Sequence, residues 1–127
     1  MLLPAVSLGC YRDYWRRAIP TLEGKDKLLD RHYKNRKDAV TKCALAAAKR
    51  GWKYFAVQDQ GWCASSATAG KTYSKYGRYS TCRNGKGGPW GNDVYVLKGM
   101  RDSHLGIAKD QQKWNFKEIA DAGSNEQ

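Results

Sequence analysis

The chain has 127 residues, enough for one domain that buries roughly two thirds of its unfolded surface. Hydrophobic residues make up 41% of it and include five Trp and eight Tyr, a composition that excludes a disordered chain. The formal net charge of +11 implies attraction to polyanions such as sulfated glycans, nucleic acid, lipopolysaccharide or anionic membranes, or else serves solubility alone. No hydrophobic run approaches membrane-spanning length.

A strand and a helix are the first predicted elements. Residues 8–15 form a short first strand, and the clearest helix covers residues 35–50, where the apolar positions follow the helical period. Asn35 can serve as the N-cap, and Asp38, three residues on, can bond back to it and favour the positive end of the helix. Gly51 is a standard left-handed stop for this helix.

A β-hairpin is predicted after the helix. Residues 52–63 alternate like a strand and pass through a turn at residues 59–61. Residues 94–97 are typical of a central strand beside the first strand or the hairpin, and residues 103–120 are consistent with one or two short helices. The elements predict an α+β fold: a small antiparallel β-sheet packed on one main helix at about residues 35–50, stabilised by disulfides, with a C-terminal helical extension.

The four cysteines, Cys10, Cys43, Cys63 and Cys82, form an even set without a CxxC pair. The spacing typical of a zinc site is absent, which leaves two disulfides or four buried thiols. We favour disulfides and hence an oxidising, secreted environment. Three pairings are possible, and all three remain open from the spacing alone.

The order of motifs matches a known framework. Residues 9–13 (GCYRD) are followed by a helix that holds Cys43, then by residues 54–58 (YFAVQ) and residues 61–63 (GWC). This pattern, over residues 8–97, resembles WSC-type extracellular domains and is similar in layout to PAN (apple) domains, with fewer cysteines than those families carry. The resemblance implies recognition of carbohydrates or cell surfaces.

The same resemblance implies the disulfide pairing and the domain division. A helix-to-strand bridge would join Cys43 to Cys63, and Cys10 would then pair with Cys82. The chain divides into an N-terminal segment (residues 1–7), the recognition domain (residues 8–97), and a helical extension with a tail that packs on the same domain (residues 98–127).

Aromatic residues interleaved with basic ones are the strongest functional cue. Tyrosine occurs at every third position within residues 71–82, and such rings can stack on sugar faces while nearby cations meet sulfate, phosphate or carboxylate. Trp90, set between glycines, can project from a loop and stack on a pyranose. The alternative in both cases is that the rings cover or plug the core. The candidate ligand-binding residues are Tyr73, Lys75, Tyr76, Arg78, Tyr79, Trp90, Asn92 and Asp93.

Basic residues also cluster before the predicted helix. Arg31, Lys34, Arg36 and Lys37 are candidate polyanion-binding residues, although a charge run is usually a solvated face. A smaller basic pair occurs at residues 16–17.

Catalysis finds little support in the sequence. The two histidines, His32 and His104, lie in no recognised motif, so we expect no enzyme, no metal and no cofactor. The leading prediction is a secreted, non-catalytic, lectin-like module that binds glycans or acidic polysaccharides through aromatic and basic loop residues. The alternative is a cationic host-defence or matrix protein that binds polyanions, lipopolysaccharide or an anionic membrane surface; we do not expect nucleic acid as the partner.

Overall fold

A computed structural model describes residues 4–99. Its four strands form one antiparallel sheet in the order β1-β4-β2-β3. The predicted α+β class is therefore confirmed. In chain order the elements are β1 (Ala5–Arg12), a 3-10 turn (Tyr33–Asn35), α1 (Ala39–Lys49), β2 (Tyr54–Gln58), β3 (Trp62–Ser65), α2 (Ala69–Thr72) and β4 (Gly91–Leu97).

Strand β4 is the centre of the sheet. All seven of its residues are buried, and it pairs with β1 on one side and β2 on the other, so that Tyr95 lies opposite both Ser7 and Phe55. A position beside the first strand or the hairpin was predicted. The strand lies between them.

Helix α1 packs on one face of the sheet. Its alanines are buried against Phe55, Val57 and Tyr95, because small side chains let the helix backbone approach the strands closely. The disulfide Cys43–Cys63 ties α1 to β3, as the resemblance implied. The opposite face carries a second cluster of buried residues: Tyr11, Ala18, Ile19, Ala56, Ala64, Ala69 and Val94.

The start of α1 differs from the prediction. The helix begins at Ala39, Asn35 ends the 3-10 turn, and Asp38 takes the N-cap position with a left-handed φ of 53° and no side-chain cap bond. The cause is Arg36, whose extended backbone (φ −77°, ψ 125°) directs a buried side chain toward Glu23. The end of the helix was predicted correctly, since Gly51 follows it with a φ of 81°.

Strand β1 also ends earlier than predicted. It stops at Arg12 because Asp13 leaves the strand: the Asp13 backbone N–H donates to the carbonyl of Trp90, and the Asp13 carboxylate lies in the interior. The outer edge of β1 is covered by residues 77–79: the Arg12 N–H donates to Gly77, and the Tyr79 N–H donates to the Cys10 carbonyl. This pairing places the tyrosine-rich segment beside the start of the chain.

The second disulfide, Cys10–Cys82, fixes the same region and agrees with the implied pairing. Two disulfides in one small domain indicate an oxidising environment. Among residues 4–99, no helix is both long and apolar enough to span a membrane. The helices expected within residues 103–120 lie outside the described residues.

Candidate ligand-binding face

Exposed rings are concentrated at one place on the surface. Within residues 4–99, the exposed large hydrophobic side chains are Tyr14, Trp15 and Trp90, with exposed fractions of 40%, 74% and 46%. All three line one cavity of about 280 Å³, which we call the Arg12 cavity. Its remaining lining residues are Arg12, Asp13 and Tyr79.

A second cavity, of about 230 Å³, shares Trp90 with the first. We call it the Arg17 cavity. Both volumes are below the roughly 300–1,000 Å³ typical of pockets that enclose a drug-sized ligand, so the pair suits a ligand lying along the surface. The Arg17 cavity is lined by Arg17, Tyr33, Gln58, Asp59, Trp62, Pro89 and Trp90. The two cavities together form what we call the aromatic–arginine face.

Each cavity contains an arginine held between two rings. The guanidinium carbon of Arg12 lies 4.7 Å from the ring centroid of Tyr14 and 4.7 Å from that of Tyr79. The guanidinium carbon of Arg17 lies 4.4 Å from the ring of Trp62 and 4.9 Å from that of Trp90. Such contacts contribute about 0.5–2 kcal/mol each, so they fix the rings before any ligand arrives.

A buried polar network supports both cavities. The carboxylate of Asp13 has no exposed surface and accepts hydrogen bonds from the Ala18 N–H (2.8 Å), from Arg17 (3.0 Å) and from the Gln58 amide (2.8 Å). The Gln58 amide also donates to Oδ1 of Asn92 at 2.9 Å. Through these three bonds, Asp13 positions Arg17 and the chain turn that carries Tyr14 and Trp15.

Trp90 sits in a strained turn. Gly88 and Gly91 bond to each other's backbone around Pro89 and Trp90, and Trp90 adopts a φ of 54°, a conformation that glycine or asparagine usually takes. Both glycines lie so close to Thr81 that a Cβ at either position would clash with it. The turn therefore presents a bulky exposed ring at the cost of backbone strain, a pattern found at functional sites.

The predicted tyrosines fall in different environments. Tyr79 lines the Arg12 cavity, and Tyr76 meets the ring of Tyr14 edge-on with the centroids 4.7 Å apart. Tyr73 instead packs between Tyr11 and Tyr54, where it covers the core. Tyr73 thus fits the core-covering alternative, whereas a ligand-binding role for Tyr76 and Tyr79 stays a prediction.

The two predicted cations of this segment lie outside the cavities. Lys75 is exposed with its ammonium 5.0 Å from the ring of Tyr76, and Arg78 is exposed with its guanidinium over Tyr11. They border the face without lining it.

Asn92 and Asp93 are not surface ligands. Asn92 has no exposed surface, and its amide oxygen is taken by Gln58. Asp93 is 8% exposed and accepts the backbone N–H of Gly87 at 2.7 Å. Their assignment as ligand-binding residues is corrected: both side chains belong to the interior, and burial raises the pKa of Asp93 above its usual value.

The predicted polyanion cluster is dispersed. Arg36 has a fully buried side chain and bonds Glu23 through both terminal nitrogens at 2.7 Å, so its assignment to a surface site is corrected. Lys34 pairs with Asp59 at 3.6 Å. Of the four predicted residues, Arg31 and Lys37 are exposed and form no ion pair with a carboxylate among residues 4–99.

Charges are segregated on the molecule. The cations of α1 are neutralised by the acidic residues before it: Lys42 bonds Asp30, and Arg50 bonds Asp26. Burial alone would raise the pKa of Asp26, but bonds from Arg50, the Leu28 N–H and Lys49 outweigh it and lower that pKa. By contrast, residues 60–92 contain five Lys and Arg and no acidic residue, and none of these five cations forms an ion pair within the described part of the chain. Two of them, Lys75 and Arg78, border the aromatic–arginine face.

Two larger recesses lie elsewhere. One of about 400 Å³ lies between the start of β2 and α2, and one of about 420 Å³ lies among charged residues that include Asp26 and Arg50. Neither is lined by an exposed aromatic ring.

Sequence reasoning missed most of the N-terminal part of the face. Arg12, Tyr14 and Trp15 were assigned to the first strand and Trp62 to the hairpin, without a binding role. The available signal was Asp13, because aspartate favours turns by accepting bonds from nearby backbone N–H groups, as it does here from Ala18. A turn at this point ends the strand alternation for the rings that follow.

No group of metal-ligating side chains occurs within the described part of the chain. In the comparisons with known proteins, no protein-family model matches the chain, and neither a curated protein nor a solved structure matches it.

Proposed function

We propose that this chain is a secreted, non-catalytic, carbohydrate-binding recognition domain and that the aromatic–arginine face binds the glycan. The observation that carries the proposal is the convergence of Tyr14, Trp15 and Trp90 on one cavity. Exposed rings grouped in this way are a mark of an interaction site, because scattered single rings are the norm on other surfaces.

The chemistry of the face suits sugars. A pyranose has an apolar face that can stack on an indole and hydroxyl groups at its edge that need polar partners. Trp90 supplies a ring to both cavities, and the side chains of Gln58 and Asp59 are among the polar lining of the Arg17 cavity. Two adjoining shallow cavities fit successive units of an oligosaccharide, and the resemblance to WSC-type domains supports the same class of ligand.

The carboxylates of the face are poorly placed for catalysis. Asp13 is buried and accepts three hydrogen bonds. Asp59 is engaged by Tyr33 at 3.3 Å and by Lys34 at 3.6 Å. Neither carboxylate is free to reach a substrate and give it a proton, as a general acid must. A binding role is therefore the better proposal.

A second candidate is a cationic host-defence or matrix protein that binds polyanions or anionic membranes. The observation that favours it is the group of exposed cations beside the face, Arg16, Lys75 and Arg78, which have no carboxylate partner among residues 4–99. This candidate predicts binding that depends on salt and not on the rings.

Binding to a glycan array in high salt separates the two candidates. We expect neutral sugars to be retained and Trp15→Ala to weaken binding by roughly thirtyfold or more, the effect of truncating a central tryptophan. Lys27→Ala removes an exposed side chain that lines neither cavity and serves as the control. Absence of glycan binding, or equal binding by the two variants, would overturn the proposal.

A further inference from the structure

Arg12 differs from the other arginines of the described chain. Arg17, Arg36, Arg50 and Arg83 each donate side-chain hydrogen bonds to protein oxygens. Arg16, Arg31 and Arg78 make no such bond, but they are exposed and available to water. Arg12 alone is half-buried without a side-chain acceptor in residues 4–99.

Part of the Arg12 guanidinium is buried without an acceptor from the described residues. Its Nε atom is buried and has no hydrogen-bond partner among the described residues, and rings of Tyr14 and Tyr79 flank the guanidinium. A buried polar group without a partner costs free energy, and native proteins contain few of them. The terminal nitrogens of Arg12 also have no acceptor among residues 4–99 but are not buried, so an acceptor from outside the protein can reach them through the cavity.

The neighbouring charges select the acceptor. Asp13, the one carboxylate that lines the Arg12 cavity, already accepts bonds from Arg17, Gln58 and Ala18. Two exposed arginines lie near Arg12: Arg16 follows it in the chain, and Arg78 lies across the edge of β1, opposite Tyr11. Neither has a carboxylate partner in the described part of the chain. The site is therefore positive and lacks a free negative group of its own.

We propose that the Arg12 cavity binds a carboxylate or sulfate group of an acidic polysaccharide, while Trp15 and Trp90 stack on its sugar rings. The planar guanidinium offers parallel N–H donors that match the oxygens of such a group. This inference rests on the proposed function and narrows its ligand from carbohydrates in general to acidic ones.

The test compares one oligosaccharide with and without its charge. A chondroitin sulfate hexasaccharide and the same hexasaccharide after desulfation and carboxyl reduction are titrated into the full chain at physiological salt by calorimetry. We expect the charged form to bind roughly tenfold more tightly, the effect of one added charge-assisted contact. Arg12→Gln should remove this preference, so that this variant binds the two hexasaccharides with affinities within about twofold of each other.

Matched variants exclude trivial explanations. Lys37→Gln removes the same charge from an exposed position beside α1 and should keep the preference. Arg12→Lys keeps the charge but loses the paired donors, so it should show an intermediate preference. Near-ultraviolet circular dichroism of each variant establishes that the rings remain packed, and an unfolded Arg12→Gln would leave Arg12→Lys as the deciding variant.

The outcomes separate the inference from the proposed function. Equal binding of both hexasaccharides by the native chain, with affinity lost in Trp15→Ala, would overturn the acidic ligand and keep the carbohydrate-binding proposal. Charge-dependent binding that Arg12→Gln and Lys37→Gln reduce equally would also overturn the inference. Binding to phosphatidylserine vesicles that depends on Arg12, without binding to either hexasaccharide, would replace both proposals with a membrane surface.

Discussion

Replacing Arg36 by methionine tests whether this residue belongs to the fold or to a polyanion site. The guanidinium bonds Glu23 twice at 2.7 Å, the Gly61 carbonyl at 2.8 Å and the Asp30 carbonyl at 2.9 Å. Glu23 in turn accepts the N–H of Cys63 at 2.8 Å. Arg36 thus connects the segment before α1 to the β2–β3 turn, and its loss leaves a carboxylate without its partner.

The expected loss can be bounded from the geometry. Removing one member of a buried ion pair costs about 3–5 kcal/mol. The side chain of Glu23 is 20% exposed and regains some hydration, which places the expected loss for Arg36→Met at about 3 kcal/mol. A loss of this size lowers Tm by about 10 °C or more in a domain of this length.

Urea unfolding with the disulfides intact measures the effect. Lys37→Met removes the same charge from the adjacent exposed position and should change the free energy of unfolding by less than about 0.5 kcal/mol. If Arg36→Met cost less than about 1 kcal/mol, the structural role assigned to Arg36 would be refuted. Loss of polyanion binding in a fully stable Arg36→Met would restore the interpretation made from the sequence.

Three further predictions concern the strained turn, the buried carboxylates and a disulfide. Trp90→Gly should abolish glycan binding yet change the free energy of unfolding by less than about 1 kcal/mol in urea titrations, because glycine relieves the left-handed φ of 54°. The pKa of Asp93 is raised by burial, so its contribution to stability is full below the unfolded pKa of about 3.9 and is lost as pH rises through the folded pKa; Asp93→Asn should stabilise the protein at pH 7 and not at pH 3. The pKa of Asp26 is lowered, so Asp26→Asn should destabilise the protein at pH 7, and this loss of stability should shrink as pH falls through the folded pKa of Asp26. Thermal melts from pH 3 to pH 7 measure both effects, and a Tm that changed with pH in the same direction in the two variants would contradict both predictions. Replacing both Cys10 and Cys82 by serine removes a disulfide of sequence separation 72. In the chain-entropy model this should lower the free energy of unfolding by about 4 kcal/mol, and an unchanged Tm would contradict that prediction.

Local signals predicted the elements whose boundaries depend on local chemistry. Gly51 ends α1 because a left-handed position favours glycine. The hairpin turn was predicted from the turn residues at 59–61, and β2 and β3 flank it as expected. The start of α1 was missed because Asn35 and Asp38 satisfy the local capping pattern, whereas the buried pairing of Arg36 with Glu23 is a tertiary contact that overrides it.

The exposure of rings is set by tertiary contacts, so the sequence predicted the site only in part. Tyr73 and Tyr76 belong to the same spacing, yet Tyr73 covers the core and Tyr76 reaches Tyr14. Trp90 was identified from its glycine-rich surroundings. Trp15 was missed, since the turn that exposes it depends on the burial of Asp13.

The indole N–H signals of the tryptophans offer the most direct test of the ligand-binding face. Titration of ¹⁵N-labelled protein with the tightest-binding oligosaccharide of the array reports on each indole separately. The exposed Trp15 and Trp90 should shift together with Trp62 of the Arg17 cavity, while Trp52, packed against the core beside α1, should stay unchanged. A saturating ligand that shifts Trp52 and leaves Trp15 and Trp90 in place would contradict the account.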